Sequence, residues 1–236
     1  MSAPNTENGA PEFDAYSKNY NEEINKALSF SGLKIDFFAR VKNDYLIDIL
    51  HKRPGEVGGS VLDVGCGIGN AHKHLIQHIG NLVGVDVSAA SIAIARRKNP
   101  DIQYHVFDGV HLPFADKMFS FAFAINVFHH VPVTCRSLLV QEVRRVLCPG
   151  AMFAIFEHNP VNPVTSYVVN SCEFDKDAVL LKRRETEQLL STAGFHDIYS
   201  RYIIAIPAAG SLLRRIDRCF SLLPLGAQYY TLGTLR

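Results

Sequence analysis

The sequence predicts an open, doubly wound α/β sheet with helices on both faces. Three observations point to it. Short apolar runs alternate with amphipathic stretches from Ser60 onward, a glycine turn joins the first run to the first helical stretch, and acidic residues mark the ends of three consecutive strands. The 236 residues are 47% hydrophobic and 20% charged, enough to bury one sizeable core without disulfides or metal. Lys plus Arg number 24 against 23 Asp plus Glu, a net charge of +1 that argues against an electrostatically driven nucleic-acid binder. Five cysteines form no C-x-x-C pair, as expected of thiols in a reducing cytoplasm.

Residues 1–12 are polar and expected to be disordered, with no signal peptide or membrane anchor. Residues 13–53 carry apolar side chains at helical spacing and predict an N-terminal helical cap; the turn-forming Pro54-Gly55 then opens the main domain, 54–236. Within it, strands are predicted at 61–64, 82–85, 102–106, 119–124 and 151–156. Helices are predicted at 70–79, at 89–98 behind a Ser88 cap, and at 134–147 before a Pro149-Gly150 turn. A further helix, 183–193, stops at Gly194, and strand-like segments 196–206 and 227–232 flank a helical stretch, 211–223. The connection 157–182 is long for a compact domain and reads as a lid insertion over an active site.

Asp63-Val64-Gly65-Cys66-Gly67-Ile68-Gly69-Asn70 is a buried strand feeding a turn whose glycines let a ligand approach the backbone. A dinucleotide fingerprint reads G-x-G-x-x-G; here the third glycine comes one position early, and Asn70 stands in its place. Asp63 would repel a pyrophosphate at the helix start, yet it suits a ligand bearing an ammonium and a sulfonium, which points to S-adenosylmethionine. Asp86, followed by Val87, ends the second strand where a carboxylate can accept both ribose hydroxyls, and Phe107-Asp108-Gly109 follows the third, with Asp108 placed to accept from an adenine amino group.

On these residues the chain resembles the class I S-adenosylmethionine-dependent methyltransferases, small-molecule enzymes with a type 11 domain, from about Ser60 to Phe156. Leu112 to Phe119 and Val143 to Gly150 resemble the approaches to that family's fourth and fifth strands; Ser120 departs from it, standing where many members have Asp. The resemblance implies a Rossmann-like seven-stranded sheet of order 3-2-1-4-5-7-6 with strand 7 antiparallel. It also implies S-adenosylhomocysteine as product, and an N-terminal segment over the cofactor in which Tyr16 or Tyr20 closes the pocket and Arg40 or Lys42 meets the methionine carboxylate. Helix packing explains the tyrosines equally well, and a solvated face explains the two basic residues.

Methyl transfer is an in-line displacement, and a general base is needed where the acceptor is a hydroxyl or protonated amine. Asn126-Val127-Phe128-His129-His130 follows the fourth strand, and Glu157-His158 the fifth. The expected base is His130, with His129, Glu157 and His158 as the other candidates; the alternative is that these groups only shape the loops through hydrogen bonds. No metal site is expected: His72, His74 and His78 lack the Glu and thiolate pattern of a zinc motif. Cys66 is read as filling a small buried space. The stretch 211–223 is expected to pack its apolar side, Leu212, Ile216, Phe220 and Leu223, on the sheet rather than to touch a membrane. The leading function is a cytoplasmic methyltransferase of a small acceptor, a sugar or other hydroxylated metabolite. Carbon methylation of a lipid or quinone-like acceptor is the alternative if 211–223 is exposed, and a non-catalytic cofactor-binding module is the other.

Overall fold

The computed structural model describes residues 35–51, 59–172, 175, 177–206 and 211–236. Tyr16, Tyr20 and the expected disorder of 1–12 lie outside them.

The chain enters through α1 (Ile35–His51). Then follow β1 (Ser60–Val64), the single turn α2 (His72–Leu75), β2 (Asn81–Asp86), α3 (Ala89–Lys98) and β3 (Gln103–Val106). Next come β4 (Phe119–Ile125), α4 (Val133–Val146), β5 (Leu147–His158), α5 (Pro163–Ser171), α6 (Arg183–Thr192), β6 (Phe195–Ile203), α7 (Ser211–Cys219) and β7 (Gln228–Leu235). The sheet has seven strands in the order β3-β2-β1-β4-β5-β7-β6, with β7 antiparallel to both neighbours. Strand order reverses between β1 and β4, the place where open α/β sheets form a ligand crevice beyond the strand ends.

The two-residue period of the strands sorts side chains between two cores. Phe121 and Phe123 of β4 meet Val41, Leu46 and Leu50 of α1 on one face, while Ala122 and Ala124 join Leu139, Val143 and Leu190 of the helices on the other.

Three expectations change. The helix predicted at 70–79 closes after one α-turn, because the chain tightens into an i→i−3 bond, His78 N to Leu75 O at 2.8 Å, that still buries Leu75 and Ile79. Pro149-Gly150 is a kink inside β5 rather than a turn before it: Gly150 has φ +86°, and the pairing with β4 jumps from Phe119↔Leu147 to Phe121↔Met152. The connection 157–182 begins with the last two residues of β5 and contains α5, capped by Asn162 Oδ1, which accepts from Val164 N and Thr165 N.

α7 departs furthest. Among its residues whose burial is described, the buried one is Asp217, 4% exposed, whereas Ile216 and Leu223 of the predicted packing side are 41% and 49% exposed, and Leu212 lies outside those described. The reason is polar. Ile204 follows β6 with φ +63°, a strained value for a β-branched residue, and the Asp217 carboxylate holds that corner by accepting from the backbone N–H groups of Ile204, Ala205 and Ile206 and from Tyr45 Oη. Arg218 pairs with Asp48 and lies 5.5 Å over the Tyr45 ring, so α7 clamps α1 to the sheet.

Candidate cofactor and catalytic site

Gly65, Gly67 and Gly69 all take positive φ, so the turn depends on glycine. A Cβ on Gly65 would stand 2.4 Å from Val127 Cγ2, which shows how tightly the first turn packs on the loop after β4. At Gly67 the same atom would meet nothing within 4 Å: this backbone is open to a ligand. Gly67 N donates to Asp86 Oδ2 at 2.8 Å and Ser88 N to Asp86 Oδ1 at 2.9 Å, leaving each carboxylate oxygen one lone pair for a ribose hydroxyl. Asp63 is buried with Oδ2 on His72 Nε2 at 2.7 Å; His72 Nδ1 meets Tyr104 Oη at 2.6 Å, and Tyr104 Oη accepts from Asn99. Its Oδ1 is buried with no hydrogen-bond partner among the described residues, an acceptor awaiting a donor such as an ammonium group. Burial raises Asp63 although His72 opposes it, and burial also raises Asp86 and the Cys66 thiol. His72, weighed at first as a metal candidate, instead holds this acid.

Val87, Phe107 and Gly109 form the adjoining rim, where Phe107 N donates to Asp86 O and a Cβ on Gly109 would touch Val87 Cγ1 at 3.4 Å. Two residues sit differently from expectation. Asp108 turns into its own loop, accepting from Val110 N and His111 N and pairing with His111 Nδ1 at 2.8 Å, so its carboxylate is already engaged. Asn70 is exposed and accepts from Lys98 Nζ, because the turn closes early at Gly69.

Beside the glycine turn, the loops after β4 and β5 bury a cluster of titrating groups. Glu157, the penultimate residue of β5 and fully buried, accepts from Phe128 N at 2.8 Å and lies 2.6 Å from His129 Nδ1. Asp175 Oδ1 stands 3.7 Å from His129 Nε2 and 3.4 Å from His130 Nε2. The Asp175 segment is tied down nearby: Val179 N donates to His129 O, and the largely buried Arg136 donates to Val131 O and Val179 O. His158 lies between two amides, Asn126 Nδ2 at 3.2 Å from Nε2 and Gln228 Nε2 at 3.4 Å from Nδ1. A neutral imidazole has one N–H, so one of these amides must present oxygen; the buried Gln228 Oε1, unpartnered among the described residues, serves once that amide is turned.

Charge separates the imidazoles. Burial would lower His129, but Glu157 and Asp175 outweigh it and raise it to about 9. Burial lowers His130, with Asp175 only partly opposing, and burial together with His129 drives His158 down to about 3. Burial would raise Glu157 and Asp175, yet the imidazoles around them hold both below the usual carboxylate range. Lys42 of α1 is buried rather than solvated. Desolvation brings it down to about 8 while Glu157 and Asp175 pull the other way. Sequence reasoning had Asp175 only as part of the 157–182 lid insertion and weighed Lys42 between the methionine carboxylate and a solvated face; a lysine within an apolar helix stretch is the signal that could have found it.

The family profile described as Methyltransferase domain matches residues 62–155, the segment that holds the glycine turn, Asp86 and both histidines after β4. Residues 62–155 are a methyltransferase domain. Such domains use S-adenosylmethionine, and the open Gly67 backbone, the spare lone pairs of Asp86 and the unpartnered Asp63 oxygen fit that cofactor. Over 211 residues the chain is 27% identical to the rice protein named 24-methylenesterol C-methyltransferase 2, covering 83% of this chain and 56% of that one. Over 137 residues it is 30% identical to 2-methyl-6-phytyl-1,4-hydroquinone methyltransferase of a Synechocystis strain, covering 56% and 41%. A methyltransferase structure from Thermotoga maritima superposes with a TM-score of 0.68 at 18% identity, covering 96% of this chain and 99% of that one, a likeness of fold. The chain spans 40% and 56% of two sterol methyltransferases that it matches.

Proposed function

We propose that the protein transfers the methyl group of S-adenosylmethionine to a small lipid-like acceptor, with His130 taking the proton released by methylation. The observation that carries the reading is the meeting, at the β1/β4 switch point, of an open glycine turn held over Asp86 with a buried histidine and carboxylate cluster. When bound, the cofactor supplies an electrophilic methyl group on a sulfonium. The chain supplies the rest. Asp86 and Gly67 fix the nucleoside end, Asp63 receives the ammonium, and the packed 126–130 loop keeps water from the reacting atoms.

Proton transfer falls to His130 by elimination within the cluster. His129 is already protonated near neutrality, and His158, driven down to about 3 between its two amides, is too weak a base, whereas His130 is lowered from 6.5, so its neutral form dominates at pH 7, and it is partly exposed.

The acceptor class rests on exposed apolar side chains. Leu213, Ile216, Leu222, Leu223 and Leu225 face solvent. Exposed Val161 and Val164 flank Asn162, which donates to Leu225 O and so joins the two segments into one rim. Relatives named for a sterol and a phytyl hydroquinone fit that surface. A hydroxylated, water-soluble acceptor is the second reading, favoured by the same imidazole base. Labelled cofactor, offered with isoprenoid quinols and sterols in detergent and separately with sugars and polyols, tests both. Label in the organic extract is expected. Label confined to polar products would move the acceptor to the second reading. No product from any acceptor, with S-adenosylhomocysteine still bound, would leave a cofactor-binding module.

A further inference from the structure

We propose that His129, His130 and Asp175 form a binding site for a divalent first-row transition metal ion, held by two imidazole nitrogens and one carboxylate oxygen. The three donor atoms, one from each residue, lie within 4.8 Å of one another. Asp175 Oδ1 is 3.7 Å from His129 Nε2 and 3.4 Å from His130 Nε2. Both separations exceed the roughly 2.7–3.2 Å of a direct N–H···O hydrogen bond. They approach the edge of a tetrahedron around an ion with ligands at about 2.0–2.1 Å, where donors stand about 3.3–3.4 Å apart.

A second observation concerns the far side of the ring. His129 Nδ1 is 2.6 Å from Glu157 Oε2, and Glu157 is itself fixed by Phe128 N and fully buried. A carboxylate holding Nδ1–H leaves Nε2 as the position where a metal ion displaces the imidazolium proton, the arrangement that commonly backs a histidine ligand. Two imidazoles with one carboxylate favour zinc, iron, cobalt or manganese over magnesium or calcium. Three protein donors leave a position for water or an acceptor oxygen.

The site uses the residues proposed for proton transfer, but it stands or falls independently of methyl transfer, and a bound ion would displace the proton that His130 otherwise accepts. The full chain, stripped with a chelator, is titrated calorimetrically with Zn²⁺ and Mg²⁺, and the visible ligand-field bands of Co²⁺ are recorded. One Zn²⁺ per chain is expected, with Mg²⁺ weaker. Asp175→Asn should weaken Zn²⁺ at least about tenfold and Glu157→Gln about 10- to 100-fold, the usual effect of losing an outer carboxylate. His74→Ala with His78→Ala, removing the exposed pair on the other side of the glycine turn, should leave affinity unchanged. Absence of Zn²⁺ and Co²⁺ binding, binding indifferent to Asp175→Asn, or binding lost with His74 and His78 overturns the proposal. Parallel titration with S-adenosylhomocysteine separates the two readings: cofactor binding without metal sinks only the metal site.

Discussion

Asp86 serves the turn and the ligand with the same two oxygens, since the backbone N–H groups of Gly67 and Ser88 use one lone pair on each. Asp86→Ala should therefore weaken S-adenosylhomocysteine by about 1–3 kcal/mol through lost hydroxyl contacts, roughly 5- to 150-fold in Kd by calorimetry. His130 carries the second residue-level prediction. His130→Gln should lower kcat about 10²- to 10⁴-fold, the usual share of a general base, with cofactor affinity unchanged. Because its pKa is lowered from 6.5, kcat of the parent should rise with pH through a midpoint below 6.5; a midpoint above 7 contradicts the assignment. Asp63 and Asp86 were legible in the sequence because strand ends and a glycine turn have local signatures. Asp175 and Lys42 were not. Asp175 comes to His129 from a distant connection and Lys42 to Glu157 and Asp175 from the N-terminal helix, and only tertiary packing joins them.

Among the elements, the glycine turn and α7 show what local pattern does and does not fix. Gly65→Ala would place a methyl 2.4 Å from Val127 at φ +78°, so it should destabilise the fold by about 1–3 kcal/mol and disturb the cofactor turn, seen as a lower Tm and weaker S-adenosylhomocysteine binding. α3 and its Ser88 cap match the sequence reading, Ser88 Oγ accepting from Ser91 N at 3.0 Å, because capping and helical period are written within a dozen residues. α7 was misread because its amphipathic spacing is real, but three backbone donors at a strained corner called its single acid inward. Asp217→Ala should cost about 2–4 kcal/mol by denaturant titration, leaving those donors and Tyr45 Oη unmatched. A cost below about 1 kcal/mol would return the helix's attachment to apolar packing.

At the scale of the whole molecule, strand order followed from the family resemblance, whereas the composition of the buried cluster depended on the fold. That cluster sets the pH dependence of stability. His129 is raised, so its contribution is full below pH 6.5 and lost as pH climbs through about 9; Glu157 and Asp175 are lowered, so theirs is full above the ordinary carboxylate range and lost in acid. His130 and His158 are lowered, so they cost stability as pH falls below 6.5, and Lys42, lowered to about 8, offsets His129 above that pH; Tm should therefore peak near pH 6.5 and fall from there toward pH 8. A rise over that interval contradicts the buried imidazolium. The niche at the switch point of the sheet is the claim beneath all of this. Competitive calorimetry of the unmodified chain with S-adenosylhomocysteine and NAD tests it most directly: the account predicts one S-adenosylhomocysteine per chain at micromolar affinity and no heat from NAD. A folded protein that holds NAD and ignores S-adenosylhomocysteine would contradict it.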